Sequence, residues 1–394
     1  MLIPAQIARA LEMASQGFTE HREAAAATAA RYCQALESLG ALSAAEIRDR
    51  ARSLAVPGAL PTDEHDATGG VVRFEPRFAH HEEARGWAAG VLRGVPVLAI
   101  DGSQIPAAAE LSVPVAVAQV GWFLNPHDSG RPYDKGVRAV VLTPRDLRSD
   151  GLEGDYVASN VVALRRFELE AGQAAEAMEG QPSSGLVVLF DGSLVVTFAE
   201  LYVKPLRARY LAAILRLLAA SGRAGVPVVG YIDSSRARDL CKLVEGLFRA
   251  EGDAPVTDAG LLAGRLDWGD RTPVYRCARG GILADYVSAE HGDHRGGVCF
   301  VYLQLATGQP PARVEFPSWV YDAGLHERLL DVVRAEVVAG AGGYPYALET
   351  ADAVAVITAE DRDRFYALFE RFAERNRLGF RRSAKAGSKA RRRA

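Results

Sequence analysis

One phrase occurs twice in this chain. Residues 97–103 read Val-Leu-Ala-Ile-Asp-Gly-Ser and residues 187–193 read Val-Val-Leu-Phe-Asp-Gly-Ser. In each, an apolar run with the length of a buried strand stops at Asp-Gly-Ser. Such a run needs a sheet covered on both faces. The glycine ends the strand in a turn and lets the backbone pass close to a ligand. Each aspartate, Asp101 and Asp191, is thereby delivered to a strand tip. If the two strands are neighbours, the carboxylates converge. Converging carboxylates repel unless something positive lies between them, and a divalent cation is the usual answer. The plain alternative is two Asp-Gly turns, since both residues suit turn geometry.

Around these phrases the pattern alternates. Residues 4–57 read as helix, with Leu36, Leu39 and Leu42 at helical spacing, and suggest a helical arm or hairpin. Pro57, Gly58 and Pro61 end it, and residues 61–70 read as a polar linker. Strands are expected at 96–100, 113–123, 137–143, 186–190, 226–232, 273–277, 298–304 and 312–316. Helices are expected at 155–179, 203–221, 235–250, 324–339, 346–357 and 360–376. Antiparallel strands followed by strand–helix alternation indicate an α/β protein, a mixed sheet with helices on its faces.

With 49% hydrophobic and 24% charged residues in 394, the chain has ample core for one large or two modest globular domains. No run of eighteen apolar residues is present, and no basic stretch precedes an apolar one at the start, so neither a membrane span nor a signal peptide is expected. Cys33, Cys241, Cys277 and Cys299 are far apart and form no Cys-x-x-Cys pair, which favours reduced core thiols and a cytoplasmic setting. The net charge of −3 hides an asymmetry: eight Lys and Arg residues and no acid lie between Arg377 and Ala394. Residues 377–394 are expected to be a disordered basic tail, able to grip phosphate without reading sequence, or else merely solubilising.

Further acids lie within reach of the two aspartates. The helix expected before the second phrase carries Glu168 and Glu170, which point roughly 200° apart, so only one can face the site. Glu168 borders the buried face marked by Leu164, Phe167 and Ala171 and is the one expected there. Asp352 lies on a later helix that opens at Tyr-Pro-Tyr. Asp233 and Asp258 read best as helix caps, and His291 with His294 as an exposed loop. No histidine stands in a triad position beside Ser103 or Ser193, and no phosphate-cradling glycine loop is present. Carboxylates without a thiolate or histidine cluster select hard cations, magnesium or manganese. Strand-tip aspartates, a helix glutamate and a later helix acid make the layout of a two-metal phosphodiesterase.

The ordered series of phrases resembles the NurA nucleases, which act in DNA end processing. It comprises the first Asp-Gly-Ser, Glu168-Leu169 on an Arg-rich helix, and Leu-Phe-Asp-Gly-Ser-Leu. Val-Val-Gly before a helix, Thr-Asp-Ala, Phe-Val-Tyr-Leu at 300–303 and Gly-Tyr-Pro-Tyr-Ala-Leu at 343–348 follow. The resemblance implies an RNase H-like core (within residues 61–376, behind a helical arm at 1–60). It also implies a manganese-dependent nuclease, with magnesium as the other hard cation. The activity implied is 5′→3′ exonuclease and single-strand endonuclease action in double-strand-break resection. Homodimers, a HerA-type hexameric ATPase partner and a place near the nucleoid come with it. By position, Asp101, Glu168 and Asp191 become metal ligands, joined by Asp352. Two departures stand out: the family's Ala-His pair is Ala351-Asp352 here, and a lysine near the third strand end is Asp233. Asp352 can still ligate a hard cation but transfers protons poorly at neutral pH. Those departures leave a second reading open, a non-catalytic DNA-binding or ATPase-adaptor protein of the same fold.

Overall fold

The computed structural model describes residues 3–107, 111–148, 155–181, 185–252, 254–286, 297–340 and 342–379, the side chains of 155–158 excepted. The basic tail beyond residue 379 and the His291–His294 loop lie outside the described residues. In chain order the strands are β1 (Gly58–Pro61), β2 (Val97–Ile105), β3 (Ala116–Asn125), β4 (Asp134–Leu142), β5 (Val187–Asp191), β6 (Val228–Ile232), β7 (Tyr275–Ala278), β8 (Val298–Leu303) and β9 (Ala312–Pro317). The chain divides into two compact units. Among the described residues no helix is long and apolar enough to cross a membrane.

Unit 1 comprises Met1–Arg77, Ile232–Ala284 and Gly297–Glu315. It holds the strand order β1-β7-β8-β9. The expected arm is three helices, Pro4–Met13, Ser15–Gly40 and Ala44–Ala51. The first buries nothing, whereas Tyr32, Leu39 and Ile47 from the other two pack with Leu240, Val244 and Phe300 in the unit's core. Residues 58–61, which looked like helix-ending punctuation, form an antiparallel pair with β7. The stretch expected as linker contains the helix Glu64–Thr68.

The same core holds a buried ionic network. The Arg313 guanidinium lies 3.8 Å from the Phe300 ring centroid and pairs with Asp239 at 2.8 Å and Glu315 at 2.7 Å. Asp258 is fully buried and does cap a helix, though not its own. Its carboxylate accepts the backbone N–H groups of Asp239, Leu240 and Cys241 at 2.7–3.1 Å, and the Tyr302 hydroxyl at 3.0 Å. It thus satisfies the orphan donors at the start of Asp239–Phe248. Asp233 caps nothing: that helix begins six residues later, and Asp233 is exposed.

Unit 2 comprises Phe78–Tyr231, Asp285–Gly296 and Phe316–Ala394. Its strands lie in the order β6-β5-β2-β3-β4. β2 runs parallel to β5, and β5 to β6, while β3 and β4 are antiparallel to their neighbours. Counted along the chain within this unit the order is third-second-first-fourth-fifth, the arrangement of an RNase H-like sheet. Two helices cover its opposite faces. A side chain at Gly102 would strike Glu170 on the helix Asp155–Gly180, whereas one at Gly121 would strike Ala355 on the helix Tyr346–Ala355. Residues 102 and 121 are one step out of register, so they face opposite ways. The residues before β2, for which the sequence pattern indicates no element, contain the helix His81–Leu92.

Replacing Asp258 with Ala removes the cap and leaves the Tyr302 O–H and three N–H groups without an acceptor in the interior. We expect a loss of about 3 kcal/mol in urea unfolding. A loss below about 1 kcal/mol would mean that water replaces the carboxylate.

Candidate metal centre

β2 does not stop at Asp101, as its sequence suggests. It continues to Ile105 because Asp101 to Ile105 keep pairing with Gly121 to Val117 of β3. What stops is the parallel pairing with β5, whose last register pair is Ile100 with Phe190. Asp101 and Asp191 are the next residues on each strand. They stand side by side where the two strands part, on the sheet face that carries the helix Tyr346–Ala355. At Gly192 the chain turns away with φ of 127°, a conformation that disfavours side chains.

Asp352 joins them from that helix, sharing a hydrogen bond with Asp101. The helix is held down at its C-terminal end, where the Ala355 carbonyl accepts from the Ser103 hydroxyl and from Gln119 Nε2 at 3.0 Å. The fourth acid comes from the opposite face and is Glu170. Its carboxylate fills the space above Gly102: an added Cβ would lie 2.0 Å from Oε1. The missing side chain at 102 leaves the space that the Glu170 carboxylate occupies, where the charges of Asp101 and Asp191 act on it.

Glu168 is not in this group. It points at the neighbouring helix Lys204–Ala224, where Arg209 grips it with two bonds of 2.8 Å, and Arg165 adds a third at 3.0 Å. The helix presents one glutamate to the sheet and the next but one to an arginine, as their angular separation requires.

The four acids are graded in depth: Glu170 is buried, Asp101 half-buried, and Asp191 and Asp352 exposed. Burial pushes the Asp101 carboxyl up to about 6, with Asp191 and Asp352 adding to the rise. Burial pushes Glu170 up to about 7, against the lowering effect of Arg166 and with the charges of Asp101 and Asp191 raising it further. Arg166 lies 3.3 Å from Glu170 and 3.4 Å from the Gly102 carbonyl. One guanidinium against four carboxylates leaves a surplus of negative charge. An all-oxygen donor set with that surplus fits a hard divalent cation.

Two further groups complete the site. Tyr344, not singled out from sequence, donates to Asp191 Oδ1 at 3.0 Å and packs edge-on against Tyr231. Burial and Asp191 push its hydroxyl well above its ordinary range, so it stays a donor. The signal was present in Gly-Tyr-Pro-Tyr, read only as a helix start. Asp233 and Asp258 belong to unit 1 and are not part of this cluster.

The NurA domain profile matches residues 95–357, two-thirds of the chain. No curated protein matches the sequence. Among solved structures, a NurA with dAMP and manganese overlays with a TM-score of 0.45 at 11% identity, over 71% of this chain and 88% of that one. A NurA with manganese gives 0.43 at 10% identity, over 70% and 88%. An endonuclease V from Bacillus subtilis gives 0.32 at 11% identity, over 77% and 88%. These overlays are loose, and the family assignment rests on the sequence match.

Acids whose folded pKa lies above the unfolded value bind protons first in the folded state. The stability that Asp101 and Glu170 contribute is therefore full below about pH 4 and is lost as pH rises through about 6 and about 7. In chelator, the melting temperature should fall between pH 5 and pH 8 by more than in an Asp101→Asn/Glu170→Gln variant. Millimolar manganese should remove the difference. Equal slopes in both proteins would contradict the burial of these charges.

Proposed function

The chain belongs to the NurA family, and from that premise and the carboxylate cluster we propose that it is a metal-dependent deoxyribonuclease. The observation that carries the reading is the gathering of Asp101, Asp191, Asp352 and Glu170 where β2 and β5 part, with far more negative charge than one arginine balances. We propose these four as the ligands, Glu170 taking the place expected of Glu168. When bound, manganese or magnesium would supply water activation and charge neutralisation at a phosphate.

The chain's own residues divide the remaining work. The Tyr344 hydroxyl fixes the orientation of Asp191 by donating to Oδ1. Ser103 and Gln119 hold the helix that presents Asp352. Arg166, half-exposed beside the acids, offers a guanidinium to a substrate phosphate. Asp352 stands where the resemblance places histidine, and a carboxylate is a poorer proton carrier than an imidazole. Slow turnover follows from that exchange.

The finer assignments rest on the family resemblance. They are 5′→3′ exonuclease and single-strand endonuclease action in break resection, homodimers, a HerA-type ATPase partner and residence near the nucleoid. The eight basic residues of 377–394 support a nucleic-acid substrate. Asp352 and Asp233, in place of His and Lys, favour one competitor, a DNA-binding adaptor that does not cleave.

The test is cleavage of a 5′-labelled single strand in manganese, magnesium and chelator. Manganese-dependent cleavage is expected, with Asp191→Ala and Glu170→Gln reduced to below about one hundredth and Glu168→Gln within about threefold of the parent. If Glu168→Gln abolishes cleavage and Glu170→Gln does not, the ligand assignment is wrong. No cleavage in any metal, together with DNA binding indifferent to chelator, would establish the adaptor.

Tyr344→Phe keeps the ring and deletes the donor. It should lower kcat about tenfold with KM for the strand unchanged. A rise in KM instead would assign Tyr344 to strand binding.

A further inference from the structure

Unit 2 has a groove of about 780 Å³ at the other end of β2, between the helix His81–Leu92, the chain leaving β3 and the start of the helix Tyr346–Ala355. Its rim residue Asn125 pairs with Val97, four positions before Asp101. At ~3.3 Å per residue that is about 13 Å from the acid cluster.

The lining is cationic and aromatic. Arg85 and Arg93 both line the groove, and neither makes an ion pair or hydrogen bond among the described residues. The rings of Tyr133 and Tyr346 flank Phe123 at 5.3 and 5.9 Å and border the same space, over an apolar floor that includes Leu92. The one acid in the lining, Asp128, already accepts the Gly130 N–H at 2.9 Å.

His127 forms part of the wall, and it is held there at a cost. Its backbone has φ of 45°, left-handed for a side chain larger than Asn or Asp. Its Nδ1 lies 2.7 Å from the Val95 carbonyl and its Nε2 3.2 Å from Glu336, which is fully buried. Burial alone would depress its pKa, but Glu336 and the Val95 carbonyl outweigh that and raise it. The other Glu336 oxygen accepts the Ala347 N–H at 2.8 Å, in the first turn of the helix that bears Asp352. A strained backbone and a buried carboxylate thus hold the His127 imidazole in the wall of an open groove that carries two guanidiniums, neither paired among the described residues.

We propose that this groove is a second nucleotide-binding site, taking the phosphate of a nucleoside 5′-phosphate unit on Arg85 and Arg93 and its base against Tyr133 and Tyr346. The unit comes either from a free mononucleotide or from a strand passing over the surface. Through Glu336 and Ala347 the occupied wall touches the helix whose Asp352 lies five residues, ~7.5 Å, further on. The site goes beyond the nuclease reading and does not require it.

The experiment is calorimetric titration of the full-length protein in chelator, which leaves the acid cluster without a cation. The probes are deoxyadenosine 5′-monophosphate, deoxyadenosine, inorganic phosphate and a decathymidylate lacking terminal phosphates. The proteins are the parent, Arg85→Ala/Arg93→Ala and Asp191→Ala. We expect the monophosphate to bind the parent and Asp191→Ala equally, and the double variant at least tenfold more weakly. Deoxyadenosine and phosphate should each bind more weakly than the nucleotide. Competition by the decathymidylate would name a strand as the source, and its failure to compete a free nucleotide. No monophosphate binding, loss of binding in Asp191→Ala, or an unaffected double variant would each overturn the proposal. Because no arm reads cleavage, a protein that proves to be an adaptor leaves the result interpretable.

Discussion

Mutual repulsion among carboxylates is the constraint around which unit 2 is arranged. Four acids are brought within electrostatic reach of one another, two of them deep enough that burial lifts their pKa values toward neutrality. Such a cluster opposes folding in the absence of a cation, so the rest of the unit must hold it. The sheet supplies the rigidity. Asp101 is clamped on one side by continued pairing with β3, while on the other side the parting of β2 and β5 opens a gap. Apolar packing behind the gap is dense: Phe167 meets Phe190 edge-on at 5.9 Å, and Tyr210 closes on Phe167 at 5.2 Å. The site is a strained surface on a firm base.

The two Asp-Gly-Ser phrases look alike in sequence and do different things. In the first, Gly102 leaves room for the Glu170 carboxylate, and Ser103 ties down the helix that carries Asp352. In the second, Gly192 turns the chain away from the sheet, and Ser193 closes a local turn with its hydroxyl bonded to Val195. The first phrase builds the site from both faces; the second delivers one acid and leaves. Only the aspartates are equivalent. The repeat pointed to the site because both strands had to be buried to place their tips, and buried strands are visible as apolar runs.

What could be read from the residues follows the same logic. The sheet strands of unit 2 and the helices between them were legible because burial writes long periodic patterns. The strand β1 was not: four residues flanked by prolines carry no period, and their pairing with β7 lies more than two hundred positions away. The angle separates Glu168 from Glu170, but the expectation of Glu168 at the site could not foresee the partners that decide the choice. Arg209 claims Glu168 with a bidentate grip, and the empty space over Gly102 admits Glu170. Sequence registers neither an arginine one helix away nor the absence of a side chain as a channel. Tyr344 was hidden for a similar reason, since its phrase reads equally well as a helix start.

The presence of an aspartate at 352, rather than a histidine, bears on the electrostatics of the site more than on its geometry. A neutral imidazole among three acids would relieve repulsion and could carry a proton at neutral pH. An aspartate adds a fourth negative charge and answers it locally by sharing a hydrogen bond with Asp101. That sharing requires a proton, and a cation bound between the carboxylates would displace it, so cation binding here is linked to proton release. The same helix has its first turn held by Glu336 and its last by Ser103 and Gln119. Asp352 is therefore not free to swing away from its neighbours when it is charged. A fixed fourth carboxylate strengthens the demand for a cation while removing a proton carrier, which favours tight occupancy over rapid turnover.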